Sequence, residues 1–285
     1  MAEKLILEDV YYTYPLGSNT EQAAISGVSL EINPGEVLCI VGPNGSGKST
    51  LSLLCAGLLK PTSGKILYGD YCISRTAGRK EIRGKIGIFF QSAEDHLFSD
   101  TVFDDIAFGP KNLGLSGKLL EERVEYACDM VGLPLNKFAE RSPFALSQGE
   151  KRRVALAGVL ALKPDLLILD EPFIGLDYEG RKHLTDAIEK YKESREISVI
   201  AVTHEIKGFM RLASRFAVLK NGKIIYSLSP KELPQKSEEL KSSNVSIPEI
   251  GEIANELESM GAKIKDPLDV VTLAMSIQEL RRRQK

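Results

Sequence analysis

The chain has 285 residues, 43% of them apolar and 27% charged, ordinary globular values that exclude a disordered or collagen-like chain. Lys and Arg number 37 against 39 Asp and Glu, a formal net charge of −2, and Trp is absent. The broad basic footprint of a general nucleic-acid binder is therefore missing, and the length suits one large domain or one domain with a small appendage.

In chain order, residues 5–14 and 28–32 read as antiparallel strands, and Val37–Val41 as a continuous apolar run of the kind buried on both faces of a parallel sheet. A glycine-rich loop and a helix starting near Lys48 follow, then an antiparallel strand over residues 65–68 and a second buried run over 86–90. Residues 92 to about 163 read as mostly helical, with an apolar helical spacing over 119–131. Ser147 with Glu150 fits an N-cap and its reciprocal partner, and that helix is expected to run to Leu162 before Lys163-Pro164. Buried runs return at residues 166–169 and 199–202, with helices beginning near Glu179 and Ile206. Asn221-Gly222, between residues 216–220 and 223–226, predicts a tight hairpin. Residues 227–246 are rich in Ser, Lys, Glu and Pro and read as a linker with short helical pieces. Ile250, Ile253, Leu257 and Met260 recur at helical steps, and Asp266-Pro267 opens a second helix ending in Arg281-Arg282-Arg283.

The longest apolar run, residues 154–162, has nine residues, against about 20 for a spanning helix. The first residues carry Glu3, Lys4, Glu8 and Asp9 and no signal-peptide stretch. No direct membrane insertion is expected. Cys39, Cys55, Cys72 and Cys128 form no C-x-x-C pair and read as reduced, small apolar residues.

Gly42-Pro43-Asn44-Gly45-Ser46-Gly47-Lys48-Ser49 matches G-x-x-x-x-G-K-[ST] between a buried strand and a helix. Its glycines let backbone N–H groups approach phosphates, the helix N-terminus favours an anion, Lys48 supplies a point charge, and the Ser49 hydroxyl suits Mg2+. Asp170 and Glu171 end an apolar strand, where open parallel sheets bind ligands. Asp170 suits Mg2+ and Glu171 the attacking water; the plainer reading of the pair is a loop start and helix cap.

With Leu146-Ser147-Gln148-Gly149-Glu150 added, the sequence resembles the ATP-binding-cassette ATPases over residues 4–230. The motif order Lys48, Gln91, Ser147, Asp170, Glu171, His204 is the family's. The resemblance implies an α/β phosphate-loop fold with a mixed sheet core, an antiparallel β subdomain, an inserted helical subdomain (about 92–163) and a small C-terminal helical extension. It implies a nucleotide-binding domain over residues 1–230 and a linker with a helical dimerisation region over 231–285. ATP and Mg2+ are the implied ligands. Tyr14 is implied to stack on adenine, Thr50 to bond the α-phosphate, Gln91 to link Mg2+ to the helical subdomain, Asp177 to lie in the loop crossing to a partner, and His204 to sense the γ-phosphate. Plainer readings stand beside these: an edge tyrosine, a strand-end glutamine, a capping box at Ser147, a structural histidine. His96 and His183 read as structural or surface residues. The chain departs from the family's usual pattern at Gln148 and Glu150, where Gly and Gln are common, and at Phe173-Ile174, where a small pair is common; Gly149 remains.

Phe89 to Phe98 and Thr101 to Pro110 are similar to the ATPase subunits of energy-coupling-factor transporters. That branch implies a head-to-tail homodimer or heterodimer of ATPases, each completing the other's site, on the cytoplasmic face of a cell membrane with integral transporter subunits. Glu94, Asp95, Asp104 and Asp105 then face a basic coupling helix, or form a solvated acidic face. A cassette ATPase in DNA repair, translation or iron–sulfur assembly and a non-hydrolysing structural cassette are the rival classes.

Overall fold

The computed structural model describes residues 2–16, 20–204, 206–245, 247, 249–262, 264 and 270–283. Strands β1 (Leu5–Leu16) and β2 (Thr20–Ile32) pair antiparallel. Both are longer than their apolar patterns predict. β3 (Val37–Val41) then leads through the glycine-rich loop to helix α1 (Lys48–Cys55). β4 (Ser63–Tyr68) and β5 (Tyr71–Cys72) complete a four-stranded sheet of order β2-β1-β4-β5. After helix α2 (Thr76–Glu81) comes β6 (Ile86–Phe89).

The inserted helices are α3 (Val102–Asn112), α4 (Gly117–Met130), α5 (Leu135–Phe138) and α6 (Gln148–Leu160). The chain returns through β7 (Leu166–Asp170), α7 (Tyr178–Ser194) and β8 (Ser198–Thr203) to β9 (Arg215–Lys220) and β10 (Lys223–Leu228). Helices α8 (Ser237–Lys241), α9 (Glu249–Ser259) and α10 (Val270–Arg283) follow.

The central sheet has the order β10-β9-β3-β8-β7-β6, and β9, β3, β8, β7 and β6 run parallel. The carboxyl ends of β3, β6, β7 and β8 therefore lie on one edge, where ligands bind in such sheets. Alternation along the buried strands divides the core. Val37, Cys39, Val41, Leu167 and Leu169 face the inserted helices and α7. Leu38, Ile40, Leu166 and Ile168 face α1 and the antiparallel sheet.

Two expectations need correction, and a third is met with an addition. No α-helix starts at Ile206; only a 3-10 turn, Lys207–Phe209, forms there. The Asn221-Gly222 hairpin forms, with both residues in the left-handed region (φ 49° and 74°), but its first strand also pairs parallel with β3, so it belongs to the central sheet. The stretch read as a linker is tied down: Leu228, Leu233, Leu240 and Val245 join the same apolar core as the sheet. Asp266-Pro267 lies outside the described residues.

Candidate functional site

The glycine-rich loop is held at the end of β3 by close backbone packing. Gly47 has φ 102°, and a Cβ there would stand 2.4 Å from the carbonyl oxygen of Ala24, so only glycine fits. The hairpin turn braces the loop: Gly222 N donates to Ser46 O at 3.0 Å, and Ser26 N donates to Gly222 O at 2.9 Å. Lys48, the first residue of α1, is buried, and its Nζ donates to Gly42 O (2.9 Å) and Pro43 O (3.1 Å). Burial lowers its pKa, against the opposing pull of Glu171 and Asp170.

At the end of β7, Asp170 accepts from Ser49 Oγ at 3.2 Å and Ser52 Oγ at 3.0 Å. Burial still pushes its carboxyl above the ordinary aspartate value. Glu171 has a left-handed backbone (φ 46°), fixed in part by its N–H donating to Val202 O at 2.8 Å. Its carboxylate gathers two basic groups: Lys48 Nζ lies 3.9 Å from Oε1, and His204 Nδ1 2.9 Å from Oε2. With Glu171 ionised, the His204 ring N–H is the donor.

Lys48, Glu171 and His204 line one cavity of about 470 Å3, with Tyr14, Asn44, Gly45, Gly47, Ser49, Thr50 and Gln91 in its wall; Asp170 lies behind it, on Ser49. Tyr14 Oη is 3.2 Å from Thr50 Oγ1, and the ring meets Tyr12 edge-on at 4.8 Å. Ser147, Gly149 and Asp177 line a different cavity, of about 220 Å3, between the starts of α6 and α7. Ser147 makes the expected capping box with Glu150, and Glu150 is held below the usual carboxylate range chiefly by hydrogen bonds from the Ser147 backbone and side chain. Asp177 Oδ1 caps α7 through Gly180 N at 2.8 Å. One chain thus carries two separated groups of the expected residues.

The ABC transporter family model matches residues 25–174. The chain belongs to the ABC transporter family. This ABC cassette is 40% identical over 268 residues to the energy-coupling factor transporter ATP-binding protein EcfA2 of Caldanaerobacter subterraneus subsp. tengcongensis, covering 94% of this chain and 93% of that protein. It is 38% identical over 275 residues to the protein of the same name from Clostridium tetani, covering 96% and 95%. Among solved structures it is similar to CbiO1 from Clostridium perfringens, described as part of the ABC transporter complex cbiONQ, with TM-score 0.73, 34% identity, and coverage of 89% of this chain and 99% of that chain. A second similar structure is the dimeric cassette MJ0796 in a post-hydrolysis state bound to ADP and Pi, with TM-score 0.72, 29% identity, and coverage of 79% and 98%. The chain is an ATP hydrolase of this family, with its α/β phosphate-loop fold.

Sequence reasoning missed several cassette residues at the site. Gln22, Ala23 and Ala24 also line the larger cavity, as does Ile174, read from the sequence only as a departure from the family's pattern. Ser52 holds Asp170; its place three residues after Ser49, on the same face of α1, was the available signal. Arg152 gave no signal within the basic run Lys151-Arg152-Arg153, yet it is buried with only 4% of its surface exposed.

The acidic groove also needs correction. The groove between β6, α3 and α6, about 430 Å3, is lined mainly by apolar groups, including Phe90, Leu97, Phe98, Phe108 and Leu162. Asp104 pairs with Lys111 at 2.8 Å, and Asp105 accepts from the Phe98 and Ser99 backbone N–H groups. Glu94 pairs with Arg152 at 3.1 Å. Asp95 and Asp104 remain exposed.

Proposed function

We propose that this cassette is the ATP-binding subunit of an energy-coupling-factor importer, hydrolysing ATP in a head-to-tail dimer to drive uptake of a metal ion or vitamin through integral membrane partners. Among the described residues, no helix is long and apolar enough to cross a membrane. A place at the cytoplasmic face is part of the proposal and rests on those partners. The observation that carries the reading is the separation of Ser147, Gly149 and Asp177 from the cavity that holds Lys48 and Glu171. Each site is completed by the α6 start of a second cassette, identical or related. In this reading residues 1–230 form the nucleotide-binding unit, and α9 and α10, which leave Ile253 and Met275 exposed, with Met260 exposed in the turn after α9, add a dimerisation surface from the 231–285 region.

ATP binds with adenine against Tyr14, its phosphates along residues 42–49, and Thr50 at the α-phosphate. Lys48 turns from the Gly42 and Pro43 carbonyls to the β- and γ-phosphates. Ser49 and Asp170, joined at 3.2 Å, with Gln91 in the same cavity, offer the hard oxygen donors Mg2+ takes. Bound there, Mg2+ supplies charge neutralisation at the transferring phosphoryl group. Glu171 orients the attacking water and holds its proton; His204, now on Glu171, is the group that holds the γ-phosphate. Ser147 and the α6 N-terminus of the partner address the same phosphate with a hydroxyl and backbone N–H groups.

The test is Glu171→Gln in the full chain with MgATP. The expected outcome is an ATP-bound dimer on size exclusion, with turnover reduced at least about 100-fold. Hydrolysis at the wild-type rate, or a strictly monomeric protein at saturating MgATP, overturns the reading. Membrane subunits co-purifying in detergent identify the transported substrate class.

A further inference from the structure

Arg152 lies on α6 and reaches out of the helical subdomain into the catalytic layer. Its Nη1 donates to Gln91 O at 3.2 Å and to Glu94 Oε2 at 3.1 Å. Its Nη2 donates to Pro172 O at 2.7 Å and Glu171 O at 3.4 Å. The guanidinium sits 5.3 Å from the Phe89 ring centroid, and Nε is buried without a partner. One fork therefore spans the end of β6 and the end of β7. The Glu94 carboxylate that anchors the fork is held from its other side by Gln148 Nε2 at 2.9 Å. Gln148 is the residue that departs from the family's usual glycine, and this bond gives that departure a structural use.

Glu171 carries a left-handed backbone, a conformation that a residue with a side chain keeps only where its surroundings over-determine it. The bonds fixing it come from Arg152 to the carbonyls of Glu171 and Pro172, from Ile174 N to Glu171 O at 3.3 Å within the same loop, and from Glu171 N to Val202 O; of these only Arg152 ties the segment to the helical subdomain. Arginine suits the task because its planar fork serves carboxylate and carbonyls at once, which a lysine ammonium does not.

We propose that Arg152 is a positioning residue for the water-orienting carboxylate: anchored by Glu94 and Gln148, it fixes the backbone that aims Glu171 into the cavity and makes that aim depend on the Gln91–Glu94 segment. The inference rests on Glu171 having the role given above. It also means that Glu94 serves the catalytic layer rather than an exposed acidic face.

The test uses the full chain with its cognate dimer partner and two variants. Arg152→Lys keeps the charge beside Glu94 and loses the fork to the carbonyls. The double variant Glu94→Leu/Arg152→Met replaces the buried pair with apolar side chains, a change that proteins often tolerate without loss of stability. Both are expected to lower kcat about 10- to 100-fold, while KM for ATP, ATP-dependent dimerisation and the melting midpoint stay near wild type. A kcat within about twofold of wild type in either folded variant overturns the proposal. So does a loss of nucleotide affinity and of melting midpoint matching the loss of kcat in both, because Arg152 is then structural only. Glu171→Gln runs alongside. If it turns over normally, the role of Glu171 is wrong at its source; if it is inactive while Arg152→Lys is normal, the positioning inference alone falls.

Discussion

The bulky Phe173 and the small Gly208 form a lock between the loop after Glu171 and the turn after His204. A Cβ on Gly208 would stand 2.3 Å from Phe173 Cε2 and 2.6 Å from Cδ2, about 1 Å or more inside the ~3.5–4.0 Å optimum for carbon atoms. The ring has little room to yield: it is buried and lies 4.9 Å from the Phe209 ring centroid. Gly208→Ala is therefore expected to cost about 1–3 kcal/mol through overpacking, a fall of about 2–10 °C in melting midpoint for a chain of this size. Phe173→Ala should cost about 3–5 kcal/mol through the cavity it leaves. The double variant has no ring for the new methyl to strike, so it should be no less stable than Phe173→Ala, leaving a coupling of about 1–3 kcal/mol. Urea unfolding of the four proteins gives each free energy. Additive costs, within about 0.5 kcal/mol, would refute the lock. The ATPase rate of Gly208→Ala then reports whether disturbing the turn also disturbs His204.

Asp170→Asn should raise the melting midpoint of the nucleotide-free chain at pH 7, because the buried carboxylate is favoured in its neutral form. The asparagine fits: its Nδ2 can donate to Ser52 Oγ, whose own proton, given to Asp170 in the wild type, can turn to Ser49 O at 2.9 Å. The sign is set by linkage: a raised carboxyl pKa gives stability that is present at low pH and lost as pH rises through the folded value. The gap between variant and wild type should thus close as pH falls towards the ordinary value of 3.8. An equal midpoint at pH 7, or a gap that widens with acid, counts against the burial argument, and the same variant should lose most of the MgATP-induced stabilisation seen by calorimetry. Lys48→Ala should weaken ATP binding about 10- to 100-fold, the worth of a charge-assisted phosphate contact, in a fluorescent-nucleotide titration; unchanged affinity would remove Lys48 from the phosphate site.

The division between what the sequence disclosed and what it hid follows the range of the interactions. The loop from Gly42 to Ser49, the β7 end at Asp170-Glu171 and the Ser147 capping box are each written in a few adjacent residues, and each forms where the pattern placed it. Continuous β-branched runs placed the central strands to within a residue or two, because burial on both faces leaves no polar position to break the run. The helix expected from Ile206 did not form. Ile206, Phe209 and Ala213 are buried at steps of three and four, which reads as a helix face, yet the chain makes one 3-10 turn there, with Phe173 packed beside Gly208. The linker reading failed because composition weighs the many polar residues of 227–246 equally, while four apolar side chains among them reach the core. The acidic face keeps the exposed Asp95 and Asp104 but loses Glu94, because counting carboxylates ignores their partners: Glu94 and Arg152 are 58 residues apart in the chain and 3.1 Å apart in the fold. That pair also shows where the family pattern is least informative. A residue that departs from the signature, Gln148, and one hidden in a basic run, Arg152, converge on a single carboxylate beside the nucleotide site. Motif matching finds groups that face the nucleotide; the groups that hold Glu171 in place became visible only from the hydrogen bonds to its carbonyl.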